Sequence, residues 1–157
     1  MPLSRRAVLG GALALGLTGC DEKAPEELRA GPEVAILLTA IAGEEQMITL
    51  YEGVAAAHPG LSASVAGPLE HHREHLAQLR RHYLPGTGRA TPAQTPVLPP
   101  IPVPAGRAPA LTALRAAEKM AAAARIKDVT QVPPGLAQLF ASIGACEAGH
   151  AQALMYR

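Results

Sequence analysis

The chain has 157 residues and nearly balanced charge, with 14 Lys and Arg against 13 Asp and Glu. This length suits one small domain, and the near-neutral charge gives none of the basic surface that nucleic-acid binding requires, so no nucleic-acid partner is predicted. One Phe, three Tyr and no Trp leave a core built from Leu, Ile, Val and Ala, which suits closely packed helices.

The first nineteen residues have the pattern of an export signal. Residues 1–6 form a short basic segment, and residues 7–16 form an apolar one. Residues 17–20 (LTGC) match a lipobox with cleavage before Cys20. The apolar run is too short for a transmembrane helix, which needs about 20 residues. We therefore expect residues 1–19 to be removed, Cys20 to carry a lipid, and the protein to be anchored at the extracytoplasmic face of the cell membrane.

Two adjacent arginines, Arg5 and Arg6, are compatible with either of two export routes. Residues 4–9 (SRRAVL) resemble a twin-arginine signal, whereas an ordinary Sec lipoprotein signal would use Arg5 and Arg6 only as basic charge. Their removal leaves 12 basic against 13 acidic side chains, a net charge of −1. A lipid on Cys20 also leaves Cys146 without a partner cysteine, so no intramolecular disulfide is expected.

Residues 20–31 are mostly polar and predict a tether between the lipid and a domain at 32–157. Within this domain, apolar residues recur at spacings of three and four, which predicts four helices and no strand. Proline, glycine and a capping serine mark their ends. The predicted helices are Pro32–Ala57, Ser62–Leu84, Pro109–Lys127, and Pro134 to the C-terminus.

The connections between these helices predict the topology. Short turns join helices 1 and 2 and helices 3 and 4, which favours antiparallel neighbours. Between helices 2 and 3, residues 85–109 contain eight prolines and so cannot be helical. An extended segment of this length can travel the whole length of a helix. The expected fold is an all-α four-helix bundle in which two antiparallel hairpins are joined by a long Pro-rich crossover.

Each predicted apolar stripe contains residues of the types that bind metals. Counting from the two turns places these residues at similar heights near the middle of the bundle. Glu147 and His150 share one face of helix 4, and His72 and His75 share one face of helix 2, because each pair is three residues apart. Buried carboxylates and imidazoles are costly unless they are paired or bound to a metal. The candidate metal ligands are Glu44, His72, His75, Glu118, Glu147 and His150.

Several neighbouring residues admit a simpler interpretation. Only one of Glu44 and Glu45 can face inward, and Glu44 keeps the spacing of the stripe. Glu118 could instead form a surface ion pair. Cys146 lies one turn from His150 and could be a soft ligand, although a small buried hydrophobic residue is the favoured interpretation. His71 is expected to point into solvent, and Tyr51 to be a core residue whose hydroxyl needs a partner.

These residues resemble the ferritin-like superfamily over about residues 32–157. The resemblance lies in Glu44 with Tyr51 on helix 1, Glu118 on helix 3 and Glu147-x-x-His150 on helix 4. Di-iron members have a Glu on each of two helices and Glu-x-x-His on each of the others. Helix 2 departs from that pattern, because His72-x-x-His75 replaces Glu-x-x-His. In this it looks more like the actinobacterial exported ferritin-like proteins of the DUF4439 type.

Two hypotheses of different classes follow. The first is a membrane-anchored ferritin-like protein with a Glu/His metal site that holds iron, manganese, zinc or copper, in metal handling or redox chemistry. The second is a metal-free helical bundle that acts as an interaction or structural module of the cell envelope, in which the same Glu and His residues form a buried ion-pair network. Under either hypothesis, the partner could be a second copy of the chain or another protein of the cell envelope.

Overall fold

A computed structural model describes residues 32–82 and 94–156, and most of these residues are helical. The four α-helices, in chain order, are α1 (Pro32–Ala57), α2 (Ser62–His82), α3 (Arg107–Asp128) and α4 (Pro134–Ala153). Short 3-10 turns lie at Pro59–Leu61, Val129–Gln131 and Leu154–Tyr156. No strand occurs within these two ranges, so the prediction of an all-α domain with four helices is confirmed for them.

Some predicted features fall outside the described residues. They are the signal (1–19), the tether (20–31) with its lipidation site Cys20, the last predicted residues of helix 2, which include Tyr83, and the first part of the crossover.

The helix boundaries differ from the prediction at two places. Helix α3 begins at Arg107, two residues before Pro109. A proline is tolerated there because the first amides of a helix have no intrahelical acceptor. Ser62 was expected to cap helix α2, but its hydroxyl donates to the carbonyl of Ala55 at 3.2 Å, across the turn from α1.

Two apolar clusters fill the interior, one towards each end of the bundle. The first cluster joins the last half of α1, the start of α2, the start of α3 and the residue that follows α4; its members include Tyr51, Val54, Leu61, Val65, Leu114 and Leu154. The second cluster joins the first half of α1, the end of α2 and the first half of α4; its members include Leu37, Ile41, Leu79, Leu136, Phe140 and Ile143.

The buried polar side chains lie along the helices between these two clusters. On α1, Glu44 falls between the residues of the second cluster and those of the first. On α2, His72 falls between Val65 of the first cluster and Leu79 of the second. The two clusters therefore follow each other along α2 in the opposite order to that along α1. A polar layer therefore crosses the bundle at mid-height, as the counting of residues from the turns predicted.

The described part of the crossover, residues 94–106, runs along α1. The Gln46 amide donates to the carbonyl oxygen of Pro99. Further along, Val103 packs beside Gly53, and the His58 ring nitrogen Nε2 lies 2.9 Å from the carbonyl oxygen of Pro104. The crossover thus reaches the end of α1 at which α3 begins.

Helix α1 is also long and apolar enough to cross a bilayer by length and composition, and it lies near the N-terminus. Half of its most apolar segment is buried against the rest of the bundle, and the core helix of a soluble protein passes the same test. The helix therefore serves as one wall of the core in this structure.

Glycine permits the close contact between α3 and α4. A Cβ atom on Gly144 would lie 3.0 Å from Cβ of Arg125 and 3.5 Å from the carbonyl oxygen of Ala122. A Cβ atom on Gly149 would meet no such atom within 4 Å. Gly144, and not Gly149, is the residue that lets the two helices approach.

This difference predicts opposite effects for two alanine substitutions in one helix. Gly144→Ala should lower the free energy of unfolding by about 1–3 kcal/mol, because its methyl group overpacks the contact with α3. Gly149→Ala should raise it by about 0.5–1 kcal/mol, because alanine favours the helix and meets no obstacle. Urea unfolding followed by circular dichroism measures both, and equal effects would contradict the assigned contact.

Candidate metal centre

The structure buries five of the six predicted ligands almost completely and the sixth in part. Glu44 is 2% exposed, whereas its neighbour Glu45 forms a surface ion pair with Arg80 at 2.7 Å. Glu118 is fully buried, which excludes a surface ion pair for it. The others are His72, Glu147 and His150, all buried, and the partly buried His75.

His72 lies at the centre of the polar layer and joins two carboxylates. Its Nδ1 atom is 2.8 Å from Oε2 of Glu44, and its Nε2 atom is 3.0 Å from Oε1 of Glu118. Both ring nitrogens can donate only when the imidazole is protonated. The side chain therefore acts as an imidazolium ion that connects α2 to α1 and α3.

All the hydrogen bonds that the Glu118 carboxylate accepts end on the same oxygen atom. Its Oε1 atom accepts from His72, from the Tyr51 hydroxyl at 2.5 Å and from Nδ1 of His150 at 3.1 Å. Its Oε2 atom is buried and has no hydrogen-bond partner among the described residues. A buried carboxylate oxygen without a partner is costly, and a cation would relieve that cost.

These contacts shift the pKa values of the buried groups. Burial would lower the pKa of His72, but its bonds to Glu118 and Glu44 outweigh this and raise the pKa to about 9. Burial likewise opposes ionisation of Glu118, yet the bonds from His150 and His72 lower its pKa to about 2. Burial opposes ionisation of Glu44 as well, but its hydrogen bond with His72 and the nearby imidazole of His75 outweigh this and lower its pKa. Burial, and then the charge of Glu118, raise the pKa of Tyr51.

Two overlapping groups of side chains could hold a metal ion in the core. One consists of Glu44, His72 and His75, and the other of His72, Glu118 and His150; within each, one ligand atom per residue lies within 4.8 Å of the others. In the first group, Nδ1 of His75 is buried and unbonded, 3.6 Å from Oε2 of Glu44. Imidazole and carboxylate are ligands of zinc, iron and manganese, so these donors fit a transition-metal ion.

The structure does not bring Glu147 into either group. Its side chain is 1% exposed, and its Oε2 atom has no hydrogen-bond partner among the described residues. It lines a cavity of about 190 Å³ together with Glu44 and Arg125. Burial, followed by the negative charge of Glu44, raises the pKa of Glu147 to about 8. Glu147 is therefore a buried neutral acid near pH 7 that lies outside the two groups.

Three further side chains that the sequence did not place among the predicted ligands lie near this centre. His71 was expected to point into solvent; the residue is exposed, but its Nδ1 atom lies 2.9 Å from Nε2 of His150. Cys146 is only partly buried, and its sulfur lies 3.4 Å from the same nitrogen. Arg125 is 4% exposed and lies over the ring of Phe140. The one-turn spacing of Cys146 and His150 was the available signal.

Comparisons with protein-family models, curated proteins and solved structures found no match to this chain. Its function must therefore be argued from the geometry of its own residues.

The shifted pKa values predict how the stability of the metal-free protein depends on pH. The folded-state pKa of His72 is raised, so its stabilising effect is complete below its unfolded value of 6.5 and disappears as pH rises through about 9. Glu147 is also raised, so its contribution disappears as pH rises from 4.5 through about 8. The free energy of unfolding should therefore fall by about 2 kcal/mol or more between pH 6 and pH 9.

Urea unfolding in the presence of a chelator measures this slope. Glu147→Gln should flatten the part of the slope below pH 8, because the amide cannot ionise. A stability that stays constant or rises towards pH 9 would contradict the assigned protonation states.

Proposed function

We propose that this protein is an exported, membrane-anchored bundle of the ferritin-like type that binds one or two transition-metal ions at its centre. The observation that carries the proposal is the pair of buried Glu/His groups that share His72. The His72 imidazole on α2 contacts Glu44 on α1 and Glu118 on α3. His150 on α4 contacts Glu118 in turn, so all four helices contribute.

The architecture supports a ferritin-like assignment. The end of α1 packs with the start of α2 in one cluster, and the start of α1 with the end of α2 in the other, as in an antiparallel hairpin. Helices α3 and α4 follow after a long crossover, and each helix supplies a buried Glu or His to the middle of the bundle. Ferritin-like metalloproteins build their sites from such inward-facing residues.

In the proposed site, carboxylates would neutralise the ion and imidazoles would complete its coordination. Glu44 and His75 would hold an ion on one side of His72, and Glu118 would use its free Oε2 atom on the other side with His150. A bound iron, manganese or copper ion would supply redox chemistry, and a zinc ion Lewis acidity. His72 would release its proton when a ring nitrogen binds an ion.

The proposed location follows from the N-terminal sequence. Cleavage before Cys20 and a lipid on that cysteine would hold the bundle at the outer face of the cell membrane. The short tether would keep the domain near the lipid surface.

A metal-free role in the cell envelope is the second candidate. The observation that favours it is that His72, as a cation between two carboxylates, already balances half of their charge. In that case the polar layer would be a structural network that fixes the packing of the helices, and the function would lie on the outer surface.

Metal analysis of the full chain, produced without a histidine tag, separates these candidates. After reconstitution with iron, manganese, zinc or copper and removal of loose ions, we expect at least one ion per chain. Glu44→Gln and Glu118→Gln should each weaken binding at least tenfold, because each removes a charged ligand. Glu70→Gln, on the exposed face of α2, is the matched control and should bind as the wild type does.

The metal-free alternative predicts a different pattern. Glu118→Gln would then lower stability through the loss of a buried ion pair, and no ion would remain bound to the wild-type protein. That outcome would refute the metal-binding proposal.

A further inference from the structure

A third group of metal-ligand residues lies at the edge of the core, on the side where α2 meets α4. It consists of His71 on α2 with Cys146 and His150 on α4, which are one turn apart on the same face. His71 is exposed, Cys146 is partly buried and His150 is buried, so the group opens from the interior towards solvent. We refer to these three residues as the outer group.

The distances within the outer group are close to those of a tetrahedral metal site. Nδ1 of His71 is 2.9 Å from Nε2 of His150, and the sulfur of Cys146 is 3.4 Å and 3.8 Å from the nitrogens of His150 and His71. Around tetrahedral zinc, with bonds of about 2.0 Å to nitrogen and about 2.3 Å to sulfur, two nitrogens lie about 3.4 Å apart and nitrogen and sulfur about 3.6 Å apart. A small outward swing of the exposed His71 ring would reach these distances.

The buried ligand of this group is already held in the form that a metal requires. Nδ1 of His150 donates its hydrogen to Oε1 of Glu118 at 3.1 Å, which leaves Nε2 as the nitrogen with a free lone pair. Zinc-binding histidines commonly donate the N–H of their second ring nitrogen to a carboxylate, which fixes the orientation of the ring. The ring planes of His71 and His150 are 9° apart, and Nδ1 of His71 lies 2.9 Å from Nε2 of His150.

From these contacts we infer that His71, Cys146 and His150 form a second metal site, which takes zinc or another thiophilic ion and leaves its fourth position to water. On binding, the Cys146 thiol loses its proton to solvent, and the hydrogen on Nδ1 of the neutral His71 imidazole moves to Nε2 by exchange with solvent, so that Nδ1 can bind the ion. The ion replaces the hydrogen that the two imidazoles share. No electron transfer is involved. Because His150 belongs to both the outer group and one core group, the outer ion uses its Nε2 atom and leaves the other core group, Glu44, His72 and His75, to hold a core ion.

Cobalt(II) is a suitable probe because a cobalt–thiolate bond gives a charge-transfer band in the near ultraviolet. The full chain has two cysteines, so Cys20→Ser is introduced throughout and leaves Cys146 as the one thiol. We expect a thiolate band that saturates at one ion per chain and disappears when zinc is added. Cys146→Ser should abolish the band, and His71→Ala should weaken cobalt binding at least tenfold. His82→Ala, an exposed histidine on the same helix, should change neither.

A second measurement needs no change in the outer group. Zinc should slow the alkylation of Cys146 by iodoacetamide at least tenfold, because a coordinated thiolate is a poorer nucleophile and is shielded. Cobalt binding without a thiolate band, or alkylation that zinc does not affect, would overturn the inference.

The thiolate band and the number of bound ions test the outer-site and core-site proposals separately. Glu44→Gln combined with His75→Ala removes core ligands that do not touch the outer group, and the thiolate band should survive. If wild-type protein shows the band but no further bound ion, the outer site stands and the core proposal fails. If ions bind but no band appears, the core proposal stands and the outer site is refuted.

Discussion

The interaction on which the rest of the structure depends is the bridge that His72 makes between Glu44 and Glu118. Three ionised side chains in a bundle interior are tolerable only if each finds its partners, because the desolvation of each costs several kcal/mol. His72 meets this condition with both ring nitrogens, at 2.8 Å and 3.0 Å from the two carboxylates. The remaining carboxylate bonds, from Tyr51 and His150, complete the connection of all four helices.

This bridge also fixes how the helices are aligned along their axes. Apolar burial is non-directional, so the two clusters constrain the alignment of the helices less strictly than hydrogen bonds between buried charges do. A shift of about 5 Å would separate the imidazole from its carboxylates and leave buried charges unpaired. The polar layer between the clusters thus selects one alignment, and the close contact at Gly144 adds a second constraint between α3 and α4.

Part of the centre was predictable because helical periodicity is a local property. The spacing of Ile41 and Ile48 places Glu44 inward and Glu45 outward, and the structure has this arrangement. The i, i+3 spacing of His72 and His75 likewise predicts a shared face, and both lie against Glu44. His71 was misjudged because its position on α2 is exposed; its ring nonetheless reaches His150, and only the neighbouring helix makes that contact. Glu147 lies on the expected stripe, but it lines a cavity together with Arg125 and belongs to neither Glu/His group.

The sequence by itself determined that four helices form, where the proline-rich crossover falls, and which residues of each stripe are polar, because these follow from residue type and spacing within one segment. Only the tertiary structure decided which nitrogen of His72 meets which carboxylate, that one oxygen of Glu118 remains without a partner, and that Cys146 joins two histidines at the edge of the core. Such contacts depend on the distances and rotations between helices, and these are set by the packing of all four together.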